Sequence, residues 1–280
     1  MRLSQLGTAE FPIRASALTR LQECSGFLLM QDDRFGFDDG EVGPAAHTGT
    51  AVGRMVELYH LGFEVRDAIS QTRSESSGDG EGGRPFDRAR WEDAEFWFRR
   101  YTDDPRNPRE CVVVETMEAN LRIEIPCTED DPTGHPIVIV GHPDQIRVDE
   151  KGKWWLWDLK SGRAAGRQML YEYAWQQAAY VCAAEEKWDR RVHVGGILRL
   201  RGYNVGKDDP GECDVFWRAP YTTADCRAML ENDVAEAIAV LRAGRLILTP
   251  GLYCQWCPGD GPQNCGTMFA EGLERGKFEL

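Results

Sequence analysis

The sequence has no run of 18 or more apolar residues, the length a membrane-spanning helix needs, so no transmembrane helix and no membrane partner are expected. Its first residues, MRLSQLGTAEFPIRAS, lack the apolar stretch of a secretory signal peptide, which points to a cytoplasmic location. No Walker sequence (G-x-x-x-x-G-K-[ST]) occurs, and there is no internal repeat. Positive charge is also short. The 33 Lys and Arg stand against 46 Asp and Glu, a net charge of −13 that argues against non-specific coating of nucleic acid.

What is present is an ordinary globular composition. The 280 residues suffice for one large domain or two smaller ones, with 42% hydrophobic residues and nine Trp to build a core. The acidity is uneven, because residues 187–207 hold six Lys or Arg against one Asp, with Lys160, Arg163 and Arg167 just upstream. Such a strip suits either a solvated face or a basic margin beside an acidic site. Nine Cys in a cytosolic chain are not expected to form disulfides. Cys111, Cys127, Cys182, Cys213 and Cys226 have no ligand spacing and read as small buried hydrophobes.

Periodicity predicts helices over 16–30, with Ser16 as N-cap, and over 50–63 and 87–101. Residues 70–85 are Ser/Gly-rich and charged and read as a flexible loop. The period then shortens to that of strands in ECVVVETM, LRIEI, PIVIVGHPDQIRV and KWWLWDLK. A helix is expected near 167–186, a strand at 192–201 and a long helix near 222–243. This order gives an α/β fold with a mixed sheet flanked by helices, over a core of about 46–202. The first helix and the Cys/Gly/Pro-rich tail from Leu248 are expected to lie outside that core.

The stretch GHPDQIRVDEKGKWWLWDLKSG (141–162) reads as a β-hairpin with charges at its centre. Asp158 and Lys160 share a strand face, and a short turn can bring Asp144 alongside. Two carboxylates and an ammonium suit metal-assisted phosphodiester hydrolysis, in which Mg²⁺ or Mn²⁺ takes hard oxygen ligands and the lysine orients water or stabilises phosphorane charge. A structural ion pair is the plainer account of D-x-K alone. On the next helix Gln176 and Tyr180 lie four apart on one face, a spacing that packing alone also produces.

Taken together, G-x-x-D (141–144), D-x-K (158–160) and Q-x-x-x-Y (176–180) resemble the PD-(D/E)xK nuclease superfamily, in its RecB/AddB-type exonuclease branch. The resemblance implies a restriction-endonuclease-like αβββαβ core. It makes Asp144 and Asp158 metal ligands, with the Leu159 carbonyl as a third, and Lys160 the catalytic lysine. Gln176 and Tyr180 would position DNA or that lysine, and Arg163 and Arg167 would bind DNA. The family's upstream histidine, in a G-T-x-x-H context, is absent: Gly49-Thr50-Ala51-Val52 is followed by Gly53. Glu57 or His60 could replace it, with Glu57 favoured and His47 a weaker candidate.

In the tail, Cys254, Cys257 and Cys265 are close enough to ligate a soft metal, zinc or iron–sulfur, and a distant fourth Cys is then implied. The iron–sulfur branch of the same nucleases, AddB and the RecB-like CRISPR-associated proteins, takes one upstream Cys, which here matches Cys24. The resemblance thus implies a 4Fe–4S cluster on Cys24, Cys254, Cys257 and Cys265, fastening segments 16–30 and 248–269 over a single nuclease domain, 1–280. The function it implies is a metal-dependent deoxyribonuclease, an exonuclease acting on DNA with a free end or single-stranded part in recombination, repair or replication. A helicase or recombination partner would then be a separate protein. A non-catalytic DNA-end-binding subunit is the competing expectation.

Overall fold

The computed structural model describes residues 2–24, 44–77, 88–117, 119–162, 169–201 and 214–245. Strand β1 (Ile13–Arg14) leads directly into helix α1 (Ala15–Glu23). Three helices follow: α2 (Pro44–His60), α3 (Val65–Ser77) and α4 (Arg88–Asp103). Then come β2 (Leu121–Ile125), β3 (Ile137–Gly141), β4 (Gln145–Val148) and β5 (Trp154–Gly162). A short α5 (Met169–Glu172) and α6 (Ala174–Trp188) lead to β6 (Val192–Arg201) and β7 (Asp214–Arg218), and α7 (Thr223–Ala228) and α8 (Ala235–Arg242) close the described chain. Among these residues no helix is long and apolar enough to cross a membrane.

The strands form two sheets rather than the single mixed sheet expected: β1-β3-β2 and β4-β5-β6-β7. In the first, β1 runs parallel and β2 antiparallel to β3. In the second, β4 and β7 pair antiparallel with a parallel β5–β6 centre. The chain passes between sheets at His142-Pro143-Asp144, where proline has no N–H to continue a ladder. The β4–β5 turn is built by Asp149, whose Oδ1 accepts from the Lys151 and Lys153 N–H groups (2.9 Å each), while Gly152 takes φ +71°.

Alternation along β5 sends Trp154 and Leu156 into one core, and Trp157, with Trp155 and Leu159, into the other. The first core lies against α6, whose buried Ala174, Ala178, Ala179, Ala183 and Ala184 let the helix sit close to the strands. The second is roofed by α2 and α4, through Val52, Met55, Trp97 and Phe98. This arrangement is a mixed α/β fold with helices on both sides of the strands.

Several elements differ from the sequence expectation. Leu3, Leu6, Ile13 and Leu18 are fully buried and β1 pairs with β3, so the N-terminal segment belongs to the core. The helix there starts at Ala15 behind Arg14 with no side-chain cap, so Ser16 is not its N-cap. Residues 70–77 are helix, not loop. Glu75 takes Arg54 of α2 and Gln71, and Arg73 takes Glu95 of α4, tertiary pairing that outweighs the loop-like composition. ECVVVETM forms two 3₁₀ turns, Arg109–Cys111 and Val114–Thr116, because only Val112 and Val113 reach a strand edge, at Arg147 and Ile146. The helix expected at 222–243 is interrupted by a π-helical segment, Met229–Val234, and β7 was not anticipated.

Candidate active site

Asp158 and Lys160 share the face of β5 that looks toward α6, and Asp144 closes on them from the bend before β4. The Leu159 N–H donates to Asp144 Oδ2 at 2.7 Å, fixing that carboxylate against the β5 backbone. Lys160 Nζ donates to Asp158 Oδ1 at 3.0 Å. It also lies 2.8 Å from Asp158 Oδ2, so the ammonium bridges both oxygens of the buried carboxylate. Asp158 is 1% exposed. Its burial, and then the charge of Asp144, raise its carboxyl above the ordinary value of 3.8 against the opposing pull of Lys160. Burial alone would lower the Lys160 ammonium, but the two carboxylates outweigh it and hold it charged.

Helix α6 completes this arrangement. Gln176 Nε2 points between Asp158 Oδ1 and the Tyr180 hydroxyl, 3.4 Å from each. The amide is oriented by Thr19 of α1, whose hydroxyl donates to Gln176 Oε1 at 3.3 Å. Tyr180 lies so close to Gly141 that a Cβ there would sit 2.8 Å from its ring, which explains the glycine in G-x-x-D. Tyr173 lies under the lysine, with Nζ 4.4 Å from its ring centroid. Thr19 and Tyr173 were not singled out in the sequence, since neither belongs to a motif and only the fold brings them in.

The group opens on a cavity of about 750 Å³ between β5 and α2, lined by Gly53, Glu57, Asp144, Gln145, Leu159 and Lys160. Glu57 thus faces the same cavity as Asp144 and Lys160, tied to Arg54 at 2.8 Å. His60 does not. Its Nδ1 meets the Arg109 carbonyl at 2.9 Å and its Nε2 the Tyr101 hydroxyl at 2.7 Å. Gln145 and Arg147 both donate to that hydroxyl, so the Tyr101 proton goes to His60 Nε2, and Nδ1–H donates to the carbonyl. Burial lowers the His60 pKa to about 4. Both ring nitrogens are engaged away from the aspartates, so the structure does not bring His60 into this group.

Among the described residues no three His, Cys, Asp or Glu side chains converge as a metal-binding group. The donor set that does converge still fits Mg²⁺ or Mn²⁺. Mg²⁺ is commonly held by one or two carboxylates, with waters and substrate phosphate filling the rest, and the crowding of Asp144 against the buried Asp158, which raises the Asp158 carboxyl, is the like-charge repulsion a cation would relieve. Cys24 ends α1 and is partly buried. Arg163, Arg167, Cys254, Cys257 and Cys265 lie outside the described residues.

The PD-(D/E)XK nuclease superfamily model matches residues 13–260, and the chain belongs to that superfamily. Among solved structures, a protein from Eubacterium rectale with a provisional exonuclease assignment is 13% identical, with TM-score 0.49, covering 88% of this chain and 86% of its own. SSO0001 is 13% identical with TM-score 0.30, covering 66% of this chain and 73% of its own. No curated protein matches the chain.

Proposed function

We propose that this protein is a metal-dependent deoxyribonuclease, working as an exonuclease on DNA with a free end or single-stranded part. The observation that carries the reading is the buried Asp158, its carboxyl raised, paired with Lys160 and set against Asp144, the latter two lining an open cavity. Asp144, Asp158 and the Leu159 carbonyl would hold Mg²⁺ or Mn²⁺, with Glu57 within the same cavity. Such a cation supplies positive charge to the phosphate and acidifies bound water. Lys160, held charged, stabilises the negative charge that grows on the non-bridging oxygens as water adds to phosphorus and the P–O bond to the leaving oxygen breaks. Gln176 and Tyr180 orient Asp158 from behind.

The exonuclease mode, and action in recombination, repair or replication beside a separate helicase or recombination protein, rest on the motif resemblance to the RecB/AddB branch. The same resemblance supports a 4Fe–4S cluster, or zinc, on Cys24, Cys254, Cys257 and Cys265, and a single nuclease domain over the whole chain. Cleavage of end-labelled DNA by protein purified without oxygen, with and without Mn²⁺, tests the function. Mn²⁺-dependent shortening from the label, lost in Asp158→Ala and in Lys160→Ala, is the expected result. Wild-type protein that binds DNA ends but leaves them intact would establish the non-catalytic subunit instead.

A further inference from the structure

We propose that a second pocket, on the sheet face opposite Asp158, binds a nucleotide unit by stacking its base on Trp155 and holding its phosphate with Arg218. The proposal deepens the nuclease reading and rests on it for the choice of a DNA strand as the natural source. The pocket has a volume of about 290 Å³ and is lined by Arg106, Arg147, Trp155, Trp157 and Arg218, with Asp149 at its margin. That volume is near the lower end of small-ligand sites, about 300 Å³, and suits a single nucleotide.

Its charge runs against the rest of the chain. Three guanidinium groups border it in a protein of net charge −13, Arg106 paired with Asp104, Arg147 donating to Gln145, Tyr101 and Asn107, and Arg218 exposed beside Trp155. The carboxylate at its margin, Asp149, already accepts from the Lys151 and Lys153 N–H groups and from Trp155 Nε1 (3.0 Å), and these donors hold it ionised and occupied. Trp155 is therefore anchored by its indole N–H with its ring partly open. His193 stacks on it at 4.8 Å and 30°, and the exposed Arg218 lies with its guanidinium carbon 5.2 Å from the indole centroid. A π surface that already holds a planar ring and a planar cation can take a base, which is the stronger stacking partner, and release Arg218 to the phosphate.

The backbone beneath is shaped for this. Gly195 is the extra residue of a β-bulge opposite Leu156 and Trp157, and a Cβ there would come within 2.5 Å of the Trp157 ring. The glycine lets Trp157 lie flat across β6 and form the pocket floor. The pocket is linked to the catalytic cavity by a side-chain contact. Gln145 lines the cavity and Arg147 the pocket, two residues apart on the edge strand β4, joined by a 2.9 Å hydrogen bond from Arg147 Nε to Gln145 Oε1. Trp155 is three residues from Asp158, about 10 Å along β5.

Isothermal titration of the full-length, metal-free protein with deoxyadenosine monophosphate, deoxyadenosine, inorganic phosphate and a short single-stranded oligonucleotide tests this. The monophosphate should bind at least tenfold more tightly than deoxyadenosine or phosphate, and Arg218→Ala should weaken it about tenfold. Asp158→Ala should bind as wild type. If the oligonucleotide binds more tightly than the monophosphate, the site holds the substrate strand, and Arg218→Ala should then raise KM without changing kcat. If the monophosphate binds more tightly, the site holds a released nucleotide. Binding untouched by Arg218→Ala, or phosphate matching the monophosphate, overturns the proposal. Protein that cuts no DNA but keeps Arg218-dependent binding loses only the nuclease reading.

Discussion

The Thr19 hydroxyl donates to Gln176 Oε1, a contact spanning 157 positions that turns the Gln176 amide nitrogen toward Asp158 and Tyr180. The N-terminal helix is thereby part of the candidate active site. Thr19→Val keeps the shape but leaves the amide oxygen buried without this donor, which costs about 1–3 kcal/mol. Chemical denaturation should show that loss, and DNA cleavage should fall severalfold at unchanged metal affinity. Thr19→Ser, which keeps the hydroxyl, should recover most of both.

Asp158 predicts a trade between stability and activity. Its carboxyl is raised in the folded state, so the folded protein binds more protons than the unfolded chain above pH 3.8. Its stabilising contribution is present in acid and is lost as pH rises through the folded pKa. Asp158→Asn removes the buried charge at nearly constant volume, so metal-free protein at pH 8 should gain stability of about 1 kcal/mol or more while losing cleavage. A variant less stable than wild type at pH 8 would mean that the Lys160 pair outweighs the burial.

His60 acts in the opposite sense. With its folded pKa lowered from 6.5 to about 4, the unfolded chain binds the extra proton. The stability it contributes is complete above pH 6.5 and disappears as pH falls toward 4, roughly 3 kcal/mol over that window. The Asp158 and His60 slopes oppose each other near pH 4 to 6.5, so each is read as the difference between wild type and its own variant. Denaturant midpoints of His60→Asn should be lower at pH 7 and less dependent on pH between 7 and 4.5.

Metal affinity distinguishes the two upstream candidates. Glu57 lines the cavity, whereas His60 is enclosed by Tyr101 and Arg109. Titration with Mn²⁺ should show weaker binding in Glu57→Ala by about tenfold, roughly 1.4 kcal/mol, and no change in folded His60→Asn. If neither changes, the two aspartates and the Leu159 carbonyl suffice.

The pattern of what the sequence revealed follows the range of the forces involved. The D-x-K strand, its partner β4 just after Asp144, and Gln176 with Tyr180 were legible because strand and helix periods are local. Alternation over five residues also made β2 plain, with its buried–exposed pattern intact. The helix through residues 70–77 was hidden, since it depends on Arg54 and Glu95 from other helices. So was the role of His60, which needs Tyr101, Gln145 and Arg109 around it. Thr19 and Tyr173 entered the site only through long-range packing, which no motif encodes.

Cys24 ends the helix that carries Thr19, so a metal clamp on Cys24, Cys254, Cys257 and Cys265 would also hold α1 against Gln176. Freshly purified protein should then be brown, with broad visible absorbance and about four irons per chain. Cys24→Ser should bleach it, lower the melting temperature and reduce cleavage as Thr19→Val does, because a crosslink between distant segments constrains the unfolded chain and fixes α1. Colourless protein with stoichiometric zinc would keep the clamp and change the metal. Cys24→Ser with unchanged metal content and melting temperature would remove Cys24 from any clamp and leave the holding of α1 to contacts such as those of Thr19, Gln22 and its apolar face.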